Sequence, residues 1–269
     1  MSRADRLSWT IARLMADLPP GTVFTATSSA MLGVRLSQEL LGCRLSLCGR
    51  GGAYDLSGIL SLHARHWLTN RRPHAHVTLP GVFETQSEPH ALLATPAQVD
   101  GAANANLSGI GDPAAPKVAF GGTRGLPDAR AVHFILPVHS ARQLVRKVDF
   151  VSTCGATRAT PSLLVTELCV MRWSPALAAW QLEQIAPDLT VADLRAQTGF
   201  DFAVSPDLQP LEEVPEATRT LISRIDPLGL RDLDFIADRA AQLEAYARIY
   251  AAEALMVGRQ RVPHLDPTG

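Results

Sequence analysis

Lysine is almost missing from this chain: Lys117 and Lys147 stand against 23 arginines in 269 residues. Lys and Arg together number 25 and Asp and Glu 26, a formal net charge of −1, so the basic excess of a dedicated nucleic-acid binder is absent. Four cysteines (Cys43, Cys48, Cys154 and Cys169) are too few for a disulfide framework at this length. None are spaced as CxxC, which excludes a zinc ribbon or a thioredoxin-type motif. No apolar run approaches the length of a membrane span, and Asp5 and Arg6 interrupt the stretch where a signal peptide needs an apolar segment. The expectation is a cytoplasmic protein with reduced thiols. What is present, 46% hydrophobic and 19% charged residues, suits a globular chain with a full core and excludes a wholly disordered one.

The hydrophobic pattern predicts an α/β fold with an open, mostly parallel sheet and flanking helices. Leu7, Ile11, Leu14 and Leu18 are at helical spacing and Pro19-Pro20-Gly21 stops them. A strand follows over Val23–Thr27. A second helix carries Leu32, Leu36 and Leu40, capped by Ser28 or Ser29 and ended by Gly42. The strand Arg44–Cys48 then runs into Gly49–Gly52. Further strands are expected at Ala91–Thr95, Val118–Phe120, His133–Leu136 and Leu144–Val151, with a hairpin of Leu163–Trp173 against Ala178–Ile185. Thr190 and Asp193 spell a capping box, Phe200–Val204 reads as a strand, and Leu233–Leu255 as an Ala-rich amphipathic helix. The expected organisation is one α/β domain over 1–231 and a C-terminal helical extension and tail over 232–269.

Several residues invite functional readings. In a parallel sheet ligands bind at the carboxyl ends of strands, so Cys48, Gly51 and Gly52 are interesting by position. Cys48 is a candidate nucleophile or a buried small hydrophobe. The loop Gly121, Gly122, Thr123, Arg124 and Gly125 can cradle an oxyanion with its backbone N–H groups, or simply turn the chain. Asn104 and Asn106 offer amide donors to a ligand or to their own turn. His63, His66, His74 and His76 fall in one stretch with Arg65, Arg71 and Arg72. They read as a solvated basic loop that could touch an anionic substrate more readily than as a metal site, since no carboxylate or thiol helps them. Glu84 is a general base or a surface carboxylate.

In chain order, Gln98-Val-Asp100, Asn104-Ala-Asn106-Leu-Ser108, Gly121–Gly125, Arg146-Lys-Val-Asp149-Phe-Val-Ser152, Thr198-Gly-Phe-Asp201-Phe and Ile225-Asp-Pro227 resemble the beta subunit of family I CoA-transferases. That resemblance implies an open α/β sheet of the CoA-transferase type and pairing with an alpha-type subunit of related fold. It also implies an acyl-CoA substrate and no cofactor or metal beyond the coenzyme A of that substrate. The transferases carry a nucleophilic glutamate before a small residue and glycine after an early strand. The matching stretch Leu45-Ser-Leu-Cys48-Gly49-Arg50-Gly51 has none, and Cys48 falls in that slot. The chain is more similar to the CoA-transferase-like hydrolases that open rings in bacterial steroid degradation, on Phe83-Glu84-Thr85 and Ile225-Asp-Pro-Leu-Gly-Leu230-Arg-Asp232. That branch implies retro-Claisen cleavage of a cyclic acyl-CoA, with the catalytic glutamate on the alpha subunit. Gly121–Gly125, Asn104 and Asn106 would then line the pocket at the interface, with Arg124 on a substrate or CoA anion. A genuine CoA-transferase and a non-catalytic stabilising subunit are the alternatives.

Overall fold

The computed structural model describes residues 2–25, 27–48, 53–55, 58–62, 75–76, 90–120, 129–158 and 160–260. The chain opens with helix α1 (Arg3–Ala16), whose first turn is capped by Ser2 Oγ accepting from the Asp5 N–H at 3.0 Å. Strand β1 (Gly21–Thr25), helix α2 (Ser28–Leu40) and strand β2 (Leu45–Cys48) follow, then the short β3 (Ala53–Tyr54) and β4 (Ala75–His76). The middle of the chain supplies β5 (Ala91–Ala94), β6 (Gln98–Val99), β7 (Asn104–Asn106), β8 (Gly109–Asp112), β9 (Ala115–Ala119), β10 (Ala131–Leu136) and β11 (Thr153–Cys154). The last third supplies β12 (Leu163–Thr166), β13 (Cys169–Ser174), β14 (Ala179–Ile185), α3 (Val191–Ala196), β15 (Ala203–Pro210), α4 (Glu216–Ile225), a 3-10 turn (Leu230–Phe235) and α5 (Arg239–Gln260).

The main sheet runs β15-β14-β13-β12-β10-β5-β1-β2-β3-β4. Its centre, from β12 to β2, is parallel, and the strands outside it are antiparallel apart from the β14–β15 pair. Strand alternation divides the sheet side chains between two faces. Val23, Leu45, Leu47, Leu93 and Ile135 bury themselves under α1, α2 and α4, joined by Ile249 of α5. Leu92, Val132, Phe134 and Leu164 face the opposite way, with Val99, Ala105 and Leu144 of the segment that carries a second, three-stranded sheet, β6-β7-β11.

The central order β2-β1-β5-β10-β12 reverses direction between β1 and β5. The crevice beyond their carboxyl ends is therefore the topological switch point, where ligands bind in open α/β sheets.

Four sequence expectations change. Leu144–Val151 is an irregular crossing rather than a strand. Leu144 and Val148 are buried at 0% and 5% exposure, and the backbone is pinned by Val145 N–H to Val99 O at 2.9 Å and Val148 N–H to Asp100 Oδ2 at 3.3 Å. Its apolar residues mimic strand alternation because they pack beneath the small sheet. Leu163–Trp173 breaks at Glu167-Leu168 into β12 and β13, and Asn104–Pro113 forms two strands instead of a turn. Neither serine supplies the side-chain cap of α2. Thr27 is its N-cap residue without a side-chain bond, and the Asp234 carboxylate reaches in to accept from Ser29 N–H at 2.8 Å and Ser29 Oγ at 2.7 Å.

Candidate functional site

Cys48 ends β2, fully buried, on the sheet face turned away from α1 and α2 and in register with Phe24 of β1. Asp55 lies alongside that strand but is fully engaged. Its Oδ1 accepts from Leu47 N–H at 2.8 Å and Gln38 Nε2 at 2.9 Å, and its Oδ2 from Ser46 Oγ at 2.7 Å. Gly51, Gly52, Glu84, His63, His66, His74 and the loop Gly121, Gly122, Thr123, Arg124, Gly125 lie outside the described residues, as does the side chain of His76. Among the described residues no group of three or more His, Cys, Asp or Glu is placed to hold a metal ion.

The separated sequence motifs converge on one hydrogen-bonded scaffold. Asn106 is fully buried. Its Nδ2 donates to Gln98 Oε1 at 2.7 Å and Gly109 O at 2.6 Å, while its Oδ1 accepts from Ser108 and Gly109 N–H at 3.0 and 3.3 Å. Gln98 Oε1 also accepts from Asp149 N–H at 2.9 Å. Asp100 accepts from the N–H groups of Ala102 and Asn104, both at 3.0 Å, and from Asn104 Nδ2 at 3.2 Å. The Ser152 hydroxyl joins Leu107 N–H and Ser108 Oγ at 2.8 and 2.7 Å. Gly199 N–H donates to Leu144 O at 2.7 Å, and Phe200 packs on Gly101. Both amide donors of Asn106 are thus spent within the chain. They fix the root of the β8–β9 hairpin, whose last strand leads through Phe120 into Gly121. Farther off, the Asp226 carboxylate accepts from Leu230 and Arg231 N–H at 2.7 and 3.1 Å and pairs with Arg231, which also reaches Asp5 at 2.7 Å.

A cleft of 650 Å³ opens at the switch point. Ala97 and Gln98 follow β5 in its wall, Val138 and Ser140 follow β10, and Asp234 reaches it from the 3-10 turn. The Asp234 carboxylate rests on the positive end of α2, which stabilises its charge. Sequence reasoning missed Gln98 and Asp234 as cleft residues. Gln98 was visible only as part of a motif, and Asp234 is brought to Ser29 by a contact spanning 205 residues.

Beside the cleft, His139 Nδ1 lies 3.6 Å from Cys169 Sγ and 3.2 Å from Thr166 Oγ1, and its Nε2 lies 3.0 Å from Thr198 Oγ1. This resembles a Cys–His pair, but burial holds the imidazole down to about 4 and pushes the Cys169 thiol up to about 12. Both groups are neutral near pH 7, and neither activates the other. The contact is packing. Glu167, which accepts from His139 N–H at 2.8 Å, is raised by burial.

No family model matches the chain. Among curated proteins, one of the two subunits of glutaconate CoA-transferase from Acidaminococcus fermentans is 25% identical over 146 residues, 49% of this chain and 55% of that one. The chain thus spans about half the length of the curated relative it matches. Among solved structures, a variant of the decarboxylase AibA/AibB is 24% identical with a TM-score of 0.74, covering 86% of this chain and 98% of that one. IpdAB of Rhodococcus jostii RHA1 is 21% identical with a TM-score of 0.73, covering 87% and 98%. Glutaconate coenzyme A-transferase of Acidaminococcus fermentans is 20% identical with a TM-score of 0.68, covering 84% and 95%. The mostly parallel sheet with flanking helices is the α/β fold of these CoA-transferase-fold proteins.

Proposed function

We propose that this chain is the beta-type subunit of a two-chain enzyme acting on acyl-CoA thioesters, and that the reaction is hydrolytic cleavage of a carbon–carbon bond in a cyclic 3-oxoacyl-CoA. The observation that carries this reading is the end of β2. A thiol stands there, and Asp55 alongside it has both oxygens bound. Without a carboxylate there to receive the acyl group, a thioester intermediate on this chain has no anchor, and the base is supplied by an alpha-type partner.

In this reaction the partner's base takes a proton from water, whose oxygen adds to the ring ketone. The bond between that carbon and the carbon next to the thioester breaks. Its electron pair becomes the thioester enolate, which is then protonated. The ring opens to a carboxylate that still bears the CoA thioester. Donors aimed at the oxygens that gain charge supply much of the rate. In this reading Gly121–Gly125, which follow the hairpin rooted on Asn106, contribute backbone donors near the partner. Asn104 and Asn106 build the wall, Gly51 and Gly52 admit the thioester, and Arg124 holds an anionic group of the substrate. Coenzyme A enters only with the substrate, no separate cofactor is required, and the enzyme works in the cytoplasm.

Transfer of CoA between carboxylates is the second reading, favoured by the likeness to a glutaconate CoA-transferase chain. The neighbouring decarboxylase was solved as variants of one of its cysteines, so loss of carbon dioxide is a third outcome for an assay to separate. The assembled two-chain enzyme, given a cyclic 3-oxoacyl-CoA in heavy-oxygen water, should yield a ring-opened acid carrying one heavy oxygen. CoA passed to an added carboxylate, or a product one carbon shorter, would replace the hydrolytic reading.

A further inference from the structure

The geometry points to the side-chain amide of Gln98 as a hydrogen-bond donor for a ligand oxygen, the cleft beside it receiving the acyl part of a 3-oxoacyl thioester with its keto oxygen on that amide. The ligand class rests on the function proposed above; the donor does not.

The orientation of the amide follows from the backbone outward. Asn106 Oδ1 must face the N–H groups of Ser108 and Gly109, so its Nδ2 faces Gly109 O and Gln98. The Gln98 atom that meets both Asn106 Nδ2 at 2.7 Å and Asp149 N–H at 2.9 Å is therefore the oxygen. Nε2, with two N–H groups, is left without an acceptor among the described residues. Gln98 is 93% buried, since only 7% of its surface is exposed, and that remainder lines the cleft. A buried amide donor with no protein acceptor is costly unless a ligand or water satisfies it.

Around it the wall is apolar, with Ile110, Phe235 and Ile236, while the charges of Arg142 and Asp234 stand farther along the same lining. Apolar walls with a single fixed donor suit a carbon skeleton bearing one carbonyl oxygen. The position fits as well, because the cleft occupies the switch point between β1 and β5. A keto oxygen held there gains charge as water adds, so the same donor that binds the substrate assists the step.

Gln98→Glu tests this with little disturbance. One carboxylate oxygen still accepts from Asp149 N–H and Asn106 Nδ2, while the other replaces the donor by an acceptor. Calorimetric titration of the full chain compares acetoacetyl-CoA with butyryl-CoA, which differ only in the keto oxygen. The wild-type chain should bind acetoacetyl-CoA about tenfold more tightly. The variant should lose that preference at neutral pH and regain it as the new carboxyl becomes protonated in acid, since its O–H then donates. If Gln98→Glu does not fold, the side-chain amide resonance of Gln98 in the wild-type chain takes its place. It should move with acetoacetyl-CoA and stay with butyryl-CoA.

A keto preference that survives the substitution at neutral pH, or no binding of either probe, overturns the inference. A Gln98-dependent preference in a chain whose assembled enzyme opens no ring leaves the donor standing and removes the reaction class. Ring opening without that preference does the reverse.

Discussion

Asn106 shows how a residue that reads as a ligand contact in sequence can be committed to its own fold. Its four hydrogen bonds tie β6, β7 and β8 together inside a fully buried site. Asn106→Ala leaves two acceptors and two donors unpaired, and should cost about 2–4 kcal/mol, read as a lower thermal unfolding midpoint. Asn106→Asp should be worse, because an oxygen then faces Gly109 O and Gln98 Oε1. His133 and His139 give the pH dependence. Burial lowers each to about 4, with Arg172 and His90 adding to the effect at His133. The unfolded chain therefore binds more protons than the native one between about pH 6.5 and 4, and stability is lost as pH falls through that window. Each histidine removes roughly 3 kcal/mol by pH 4, a large part of an ordinary folding free energy. Denaturant midpoints measured from pH 7 to 4 should fall steadily, and His139→Gln should flatten the slope. Glu167, raised by burial, acts the other way and softens the decline.

Among the elements, the first helices are where sequence and structure agree most closely, and where one glycine decides the packing. A Cβ added to Gly33 of α2 would sit 2.7 Å from Ile11 Cβ and 2.8 Å from Ser8 O of α1. Gly33→Ala should push the two helices apart at a cost of about 1–3 kcal/mol, visible in the unfolding midpoint. Helical spacing foretold α1 and α2, and the parallel rhythm foretold β1, β2, β5 and β10, because amphipathic periodicity reports directly which face is buried. The capping box of α3 is also local: Thr190 Oγ1 accepts from Asp193 N–H at 3.2 Å. Elements governed by distant partners were not legible. Leu144–Val151 has strand-like alternation yet is held by Gln98, Val99 and Asp100, and the cap on α2 comes from Asp234. The same holds for the site. Cys48 could be placed at a strand end from its neighbours alone. The free donor on Gln98 depends on the partners of Asn106, which no local pattern encodes.

For the molecule as a whole, the question is what the sheet presents to a second chain. Strand β9 is exposed along its length, Val118 and Phe120 are 49% and 38% exposed, and Val151 is 64% exposed. The glycine loop that follows β9 is where the proposed pocket meets a partner. In the assembled enzyme Gly122→Val should lower turnover at least tenfold while assembly persists; unchanged turnover would mark this chain as a stabilising subunit only. The central claim is that the acyl group is never carried on this polypeptide. Its most direct measurement is the intact mass of this chain after the two-chain enzyme has met a cyclic 3-oxoacyl-CoA and been quenched with borohydride. An unmodified mass alongside ring-opened product is the predicted result. An acyl or thioester adduct on this chain, at Cys48 or at any carboxylate, would contradict it.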